Sequence, residues 1–256
     1  MNVAVPSASR VLDLLEFLAG QPGGASLSEA VAALGWPKSS TLMLLRTLVA
    51  RGYAARDAAD RYRLNDSFRS HGFGWGGHGY ARLVALAAPL MDRLRDAVEE
   101  TVLLGVAEAG QVRLLAKSVA HQDLRYDVDL ARPSPFYCTA MGRVLVAFAP
   151  AAAQAAMLQA EPRRPVTPAT VTALPALRAI VARVRAEALA VVEEEWVLGG
   201  TGIAVPVFAP GGGILATLDV GCVTTRFHAK RDRITTALRA AGHALSGALG
   251  GAPPQS

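Results

Sequence analysis

The sequence predicts an α+β protein of two units: three helices with a two-stranded hairpin, then a larger antiparallel sheet with flanking helices. Three observations predict it. Apolar residues at helical spacing dominate the first seventy residues. Five glycines then fall within His71–Gly79, HGFGWGGHG. Beyond them, strand-like runs come in pairs around short turns, with helical stripes between.

In the first unit, Val11, Leu14, Leu15 and Leu18 stand at i, i+3, i+4 and i+7, one buried stripe of a helix. Ser26-Leu27-Ser28-Glu29 has the spacing of a capping box and opens a second helix running to about Leu34. Gly35 can take the left-handed conformation that ends it. Pro37, pre-set for a first helical turn, starts a third helix reaching about Arg51, where Gly52 follows. Tyr53–Arg56 and Arg61–Leu64 read as short strands around the polar turn 57–60. Helix, helix, tight turn, helix and hairpin make a winged helix-turn-helix.

Glycine loses more conformational entropy on ordering than any other residue, so 71–79 reads as a joint. The expected division is 1–70, a linker over 71–79, a second domain over 80–250 and a flexible tail over 251–256. In the second domain, Leu83, Leu86, Leu90, Leu94 and Val98 mark a long helix. Thr101–Val106 and Val112–Ser118 pair as strands, and Gly142–Phe148 continues a helix. Five prolines between Pro150 and Pro175 suit a surface connection with a short helix around Ala153–Leu158. Leu177, Ile180, Val181, Val184 and Ala188 form another helix. Ile203–Phe208 and Ile214–Val220 flank a glycine-rich turn, and a last helix carries Ile234, Leu238, Ala241 and Leu245.

Composition narrows the class. Of 256 residues 52% are hydrophobic, which excludes a disordered chain. No apolar run reaches the roughly 18–20 residues of a membrane span. The opening MNVAVPSASR has no basic stretch followed by an apolar one, so no secretory leader is expected. Two cysteines, Cys138 and Cys222, are too few for a disulfide scaffold and suit a reducing cytoplasm. The net charge is +5, and Lys38–Arg63 holds six basic side chains against two acidic ones, +4 of that total.

That concentration points to DNA. In WPKSSTLMLLRTL, Thr41, Leu44, Leu45 and Leu48 share the inward face of the third helix. Ser39, Ser40, Leu42, Met43, Arg46 and Thr47 then face outward, as on a helix that reads the major groove. Lys38, Ser39 and Ser40 lie at its N-terminus, where free amides favour a phosphate. Arg61 and Arg63 alternate on one face of the wing, suited to a backbone or minor-groove contact. Leu42 and Met43 cannot hydrogen-bond guanine or adenine, but can touch a thymine methyl or pack on another protein.

Several features invite other readings. Gly72–Gly77 matches G-x-G-x-x-G, but no buried strand precedes it, so no dinucleotide cofactor is expected. Glu193-Glu194-Glu195 reads as a solvated run, and the five histidines lack zinc-ligand spacing, so no metal is expected.

The whole chain resembles the isocitrate lyase regulator (IclR) family of bacterial transcription factors. SRVLDLLEFLA, SLSEAVAALGWPKSSTLMLLRTLVARGY and RYRLND are similar to its N-terminal domain. RPSPFYCTAMGRVLVAF resembles the start of its ligand-binding core, and VLGGTGIAVPVF and LATLDVGCVTTRF its two late strands. The resemblance implies a GAF-like effector domain, a homodimer or tetramer on a palindromic operator, and control by a small metabolite, without catalysis. It also implies a pocket lined by Tyr137, Cys138, Thr139, Met141, Gly142, Gly202, Asp219, Gly221 and Cys222. Val192, Gly200 and Gly202 stand where the family often has larger or polar side chains, which should enlarge the cavity. Asp219 stands in place of a frequent serine and favours a larger neutral or hydroxylated aromatic ligand, unless it pairs with an arginine such as Arg125. The alternative is a GAF-like ligand-binding or enzymatic protein whose N-terminal domain makes protein contacts.

Overall fold

A computed structural model describes residues 5–64, 80–160 and 162–252. The chain divides into two compact units, Met1–Arg82 and Leu83–Ser256. The glycine-rich joint at 71–79 and the last four residues of the tail lie outside the described residues.

The first unit holds α1 (Pro6–Ala19), α2 (Leu27–Leu34), α3 (Lys38–Ala50), β1 (Ala54–Arg56) and β2 (Tyr62–Leu64). Leu14, Leu18, Leu45 and Leu48 meet in its core with Tyr62 and Leu64 of the hairpin. The capping box forms as spaced: Ser26 N donates to Glu29 Oε2 at 2.6 Å, and Glu29 N donates to Ser26 Oγ at 3.2 Å. Hydrogen bonding to the main chain and then the side chain of Ser26 holds the Glu29 carboxylate below its usual range. Gly35 ends α2 at φ 66°, a left-handed conformation that favours glycine. Pro37 caps α3 from outside, so that helix starts one residue later than its proline suggests. In the wing, Ala54 pairs with Leu64 and Arg56 with Tyr62.

The second unit holds all but the first two residues of α4 (Ala81–Val98), then β3 (Thr101–Glu108), β4 (Gln111–Ser118), α5 (Ala140–Phe148), α6 (Ala151–Leu158) and α7 (Leu174–Glu187). It ends with β5 (Ala190–Glu193), β6 (Gly200–Phe208), β7 (Ile214–Val223) and α8 (Thr224–Ala248). The sheet runs β4-β3-β7-β6-β5, antiparallel at every step. β5 is an edge strand that the sequence reading lacks. Among the described residues, no helix is long and apolar enough to cross a membrane. After α8, Gly251 N donates to Ser246 O at 2.8 Å, so the tail's first residue is tied back onto the helix.

The two faces of the sheet carry different helices. Side chains alternate along a strand, and the register sets Leu103 opposite Asp219 and Gly202 opposite Gly221. These four residues share one face with Gly200. There α5 closes in, with Ala140 Cβ against Gly202 and Met141 against Gly105. Val205, Val220 and Cys222 point to the other face. Gly242 of α8 packs there against Val205, where a Cβ would meet Val205 Cγ2 at 2.7 Å.

Candidate functional site

Two regions gather the sequence-predicted residues, one in each unit. On α3 the buried residues are Thr41, Leu45 and Leu48. The opposite face presents Lys38, Ser39, Met43, Arg46 and Thr47, all exposed. Met43 is 61% exposed, so a large apolar side chain stands in water beside Arg46. Leu42 is half-buried, so the outward apolar pair reduces to Met43 alone. Two hydroxyls are already committed: Ser40 Oγ donates to Pro37 O at 3.0 Å, and Thr47 Oγ1 to Met43 O at 2.8 Å. They remain available to DNA only as acceptors.

The wing arginines divide. Arg61 Nη2 donates to Gly24 O at 2.7 Å and lies 3.1 Å from Glu29 Oε2, while Nε donates to Gly23 O at 3.3 Å. Its guanidinium therefore braces the hairpin against the α1–α2 turn, a role that competes with the DNA contact expected from the sequence. Arg56 pairs with Asp60 at 2.8 Å. The concentration of positive charge is partly neutralised within the unit. Lys38, Arg46 and Arg51 are the exposed cations of α3 and its C-cap.

In the second unit a cavity of about 40 Å³ opens between the sheet and α5, room for roughly three waters. Cys138, Thr139, Met141, Gly202 and Asp219 line it, as the resemblance implies. Four implied residues, Tyr137, Gly142, Cys222 and Gly221, do not. Tyr137 is buried with its hydroxyl donating to Arg164 O at 2.9 Å, which anchors the proline-rich connection. Gly142 sits inside α5, where a Cβ would stand 2.5 Å from Phe136 O, so its role is close helix packing. Cys222 points to the opposite face of the sheet, with Sγ on Thr201 O at 3.7 Å. Gly221 faces the cavity side, beneath the ring of Tyr126.

Chemistry inside the cavity centres on Asp219. It is 3% exposed, and among the described residues nothing donates a hydrogen bond to its carboxyl. Burial pushes its pKa well above the usual carboxylate range. Arg125 is exposed and donates to Gln122 O, so the arginine pairing is not made. Thr139 is the N-cap of α5: Oγ1 donates to Pro135 O at 2.6 Å and accepts from Gly142 N at 3.1 Å. Its hydroxyl proton is spent on the main chain. Burial and the nearby Glu100 push the Cys222 thiol up to about 12, so thiolate is scarce at neutral pH.

Sequence reasoning missed Tyr126, Val128, Trp196 and Val197, which also line the cavity, as do Leu103, Leu114, Ser134 and Ala140. It also misplaced the three-glutamate run. Glu195 is 7% exposed and pairs with buried Arg143 at 2.7 Å, while Arg143 Nε donates to Tyr137 O. That pair ties α5 to the segment bearing Trp196, over whose ring the Arg132 guanidinium stacks at 4.5 Å.

Comparison with known proteins bears on both units. Residues 79–247 match the family "bacterial transcriptional regulator IclR C-terminal", and residues 7–58 match "IclR helix-turn-helix domain". The chain is 29% identical over 249 residues to the DNA-binding transcriptional repressor YiaJ of Escherichia coli K12, covering 95% of this chain and 88% of that one. The solved C-terminal domain of the E. coli transcriptional regulator KdgR aligns at TM-score 0.60 and 27% identity, over 66% of this chain and 98% of that one. An IclR homolog from Microbacterium hydrocarbonoxydans, solved with 4-hydroxybenzoate, shares the fold at TM-score 0.63 and 24% identity, over 94% and 98% of the two chains.

Proposed function

The chain belongs to the IclR family of bacterial transcriptional regulators, and from that membership we propose that α3 reads an operator whose occupancy is set by a small molecule in the Asp219 cavity. The observation that carries the reading is the two-sided α3. Its inner face closes the core of the first unit, while its outer face offers Lys38, Met43 and Arg46 to a major groove. Lys38 and the first-turn amides meet phosphate, Arg46 reaches a base or the backbone, and Met43 contacts a thymine methyl. With the hydroxyl protons of Ser40 and Thr47 committed to the helix and Met43 apolar, DNA shape and backbone contacts add to what Lys38 and Arg46 read.

For the ligand we favour a planar aromatic bearing a hydroxyl. The cavity is mainly apolar, and its one buried carboxyl can donate or accept while it keeps its proton. A small dicarboxylate would instead bring two charges into a site with no Lys or Arg among its lining residues. The bound 4-hydroxybenzoate of the Microbacterium homolog is chemistry of the favoured kind. We further propose a homodimer or tetramer on a palindromic operator, acting in the cytoplasm, with the joint between its units at 71–79. The enzymatic alternative is not favoured, because the relatives are transcriptional regulators.

A gel shift with the DNA upstream of its own gene, at two salt concentrations, tests the reading. Specific binding should weaken steeply with salt, with a slope of about −0.9 per phosphate contact, and a hydroxylated aromatic acid should change it. Equal affinity for unrelated DNA would refute the operator.

A further inference from the structure

The room that glycines open in the sheet is filled from within. Tyr126 comes from the irregular segment between β4 and α5 and lays its ring across β6 and β7. A Cβ on Gly221 would stand 2.8 Å from Tyr126 Cε1, and one on Gly200 would stand 2.9 Å from Cε2. The enlargement expected from Gly200 is therefore taken up by Tyr126, while the space above Gly202 is met by Asp219 Oδ1 and Ala140 Cβ. The space that remains, about 40 Å³, is far below the roughly 300 Å³ or more of a drug-sized ligand site.

The segment that carries the ring is held by side chains, among them Lys117, whose Nζ lies 2.7 Å from Asp127 Oδ1. Thr101 Oγ1 donates to Tyr126 O at 2.5 Å, Arg226 Nη1 to Leu124 O at 2.9 Å, and Lys117 Nζ to Val128 O at 2.8 Å. Each is one side chain on one main-chain oxygen, with no strand pairing behind it. In the same segment, Gln122 Oε1 is buried without a hydrogen-bond partner among the described residues, a state that a rearranged segment would relieve. Neither the Tyr126 hydroxyl nor the Asp219 carboxyl has a hydrogen-bond partner among the described residues, although burial first and then Asp219 push the Tyr126 phenol upward. Polar groups left open beside a half-buried aromatic ring fit a temporary occupant better than a finished core.

We propose that Tyr126 is an internal stand-in for the ligand's ring, and that an aromatic effector enters by displacing it from the Gly200–Gly221 floor. This rests on the reading of the cavity as the effector site. Tyr126 then sets specificity: the incoming molecule must offer a flat ring in place of the phenol and a hydroxyl within reach of Asp219. Displacement lowers the apparent affinity by the fraction of molecules in which the ring has left.

The test uses p-cresol, the tyrosine side chain without its backbone, and the full-length protein. In Tyr126→Ala, p-cresol should refill the vacated place. Its affinity by calorimetry should exceed that for the unaltered protein by at least about tenfold, with a matching rise in melting temperature. Equal binding to both proteins, or none to the variant, overturns the proposal. Gly221→Ala provides a second test should Tyr126→Ala fail to fold. Its methyl group must expel the ring, so amides of residues 119–131 should exchange faster while those of β3 do not. Unchanged exchange there overturns the proposal as well. No DNA enters either readout. If p-cresol fills Tyr126→Ala but no aromatic acid alters operator binding, effector control fails and the stand-in survives. The converse result leaves effector control intact without it.

Discussion

The buried pair Arg143–Glu195 offers the sharpest test of how the cavity wall is held. Arg143 is 2% exposed and Glu195 7%, with Nη2 and Oε2 2.7 Å apart. Glu195 Oε2 also accepts from Val171 N at 2.9 Å, and Arg143 Nε donates to Tyr137 O at 3.0 Å. Arg143→Met would leave Glu195 with one amide donor and no cation, and would remove the donor that Arg143 Nε gives to Tyr137 O. Breaking a buried pair from one side costs about 3–5 kcal/mol, because the remaining charge is desolvated without compensation. For a domain of this size that is a melting-temperature drop of about 6–20 °C, at 2–4 °C per kcal/mol. Urea unfolding of Arg143→Met, Glu195→Leu and the double variant measures it. The double variant should cost less than the two singles together, since it leaves no unpaired buried charge. Strict additivity, or a loss below about 1 kcal/mol in Arg143→Met, would show that the pair does not hold α5 to the Trp196 segment.

Asp219 predicts a pH dependence. Its folded pKa lies above the unfolded value, so its contribution is fully present below about pH 4 and is lost as pH rises toward the folded pKa. Asp219→Asn should therefore gain on the unaltered protein as pH rises above about 4, by up to about 1.4 kcal/mol per pH unit, and parallel melting curves would contradict this. Gly142→Ala must push a methyl against Phe136 O and C, 2.5 and 2.7 Å from the ideal Cβ. Main chain cannot step aside, so a loss of at least about 1–3 kcal/mol is expected in chemical denaturation. Cys138 and Cys222 are fully buried, and with the Cys222 thiol pushed up to about 12 neither should react with a thiol reagent at pH 8 without denaturant. Rapid labelling would show that a thiol is reachable from solvent and refute the burial argument. In salt titrations of operator binding, Arg46→Ala should lower the slope by about one unit. Arg61→Ala should leave the slope and lower the melting temperature of the first unit, because its guanidinium is engaged by Gly23, Gly24 and Glu29.

What the sequence discloses depends on how far apart the interacting residues are. The first unit is legible because its signals are local: a capping box four residues long, a left-handed glycine, and a stripe repeating every turn. The α+β class and most strands of the second unit follow for the same reason. β5 escapes because Ala190–Glu193 is four residues long and becomes a strand only by pairing with Thr201–Ala204. Glu195 looks solvated beside Glu193 and Glu194, and only the fold brings Arg143 to it from 52 residues away. The cavity shows the limit most clearly. Residue types on β6 and β7 announce free space, and the inference of a larger cavity is sound for those strands alone. Whether the space stays open depends on Tyr126, in a segment without periodicity, and no pattern in DLRYDVD marks its ring as bound for Gly221. The glycines and the tyrosine have meaning only together, so the volume of this site belongs to the pair and not to the strands that line it.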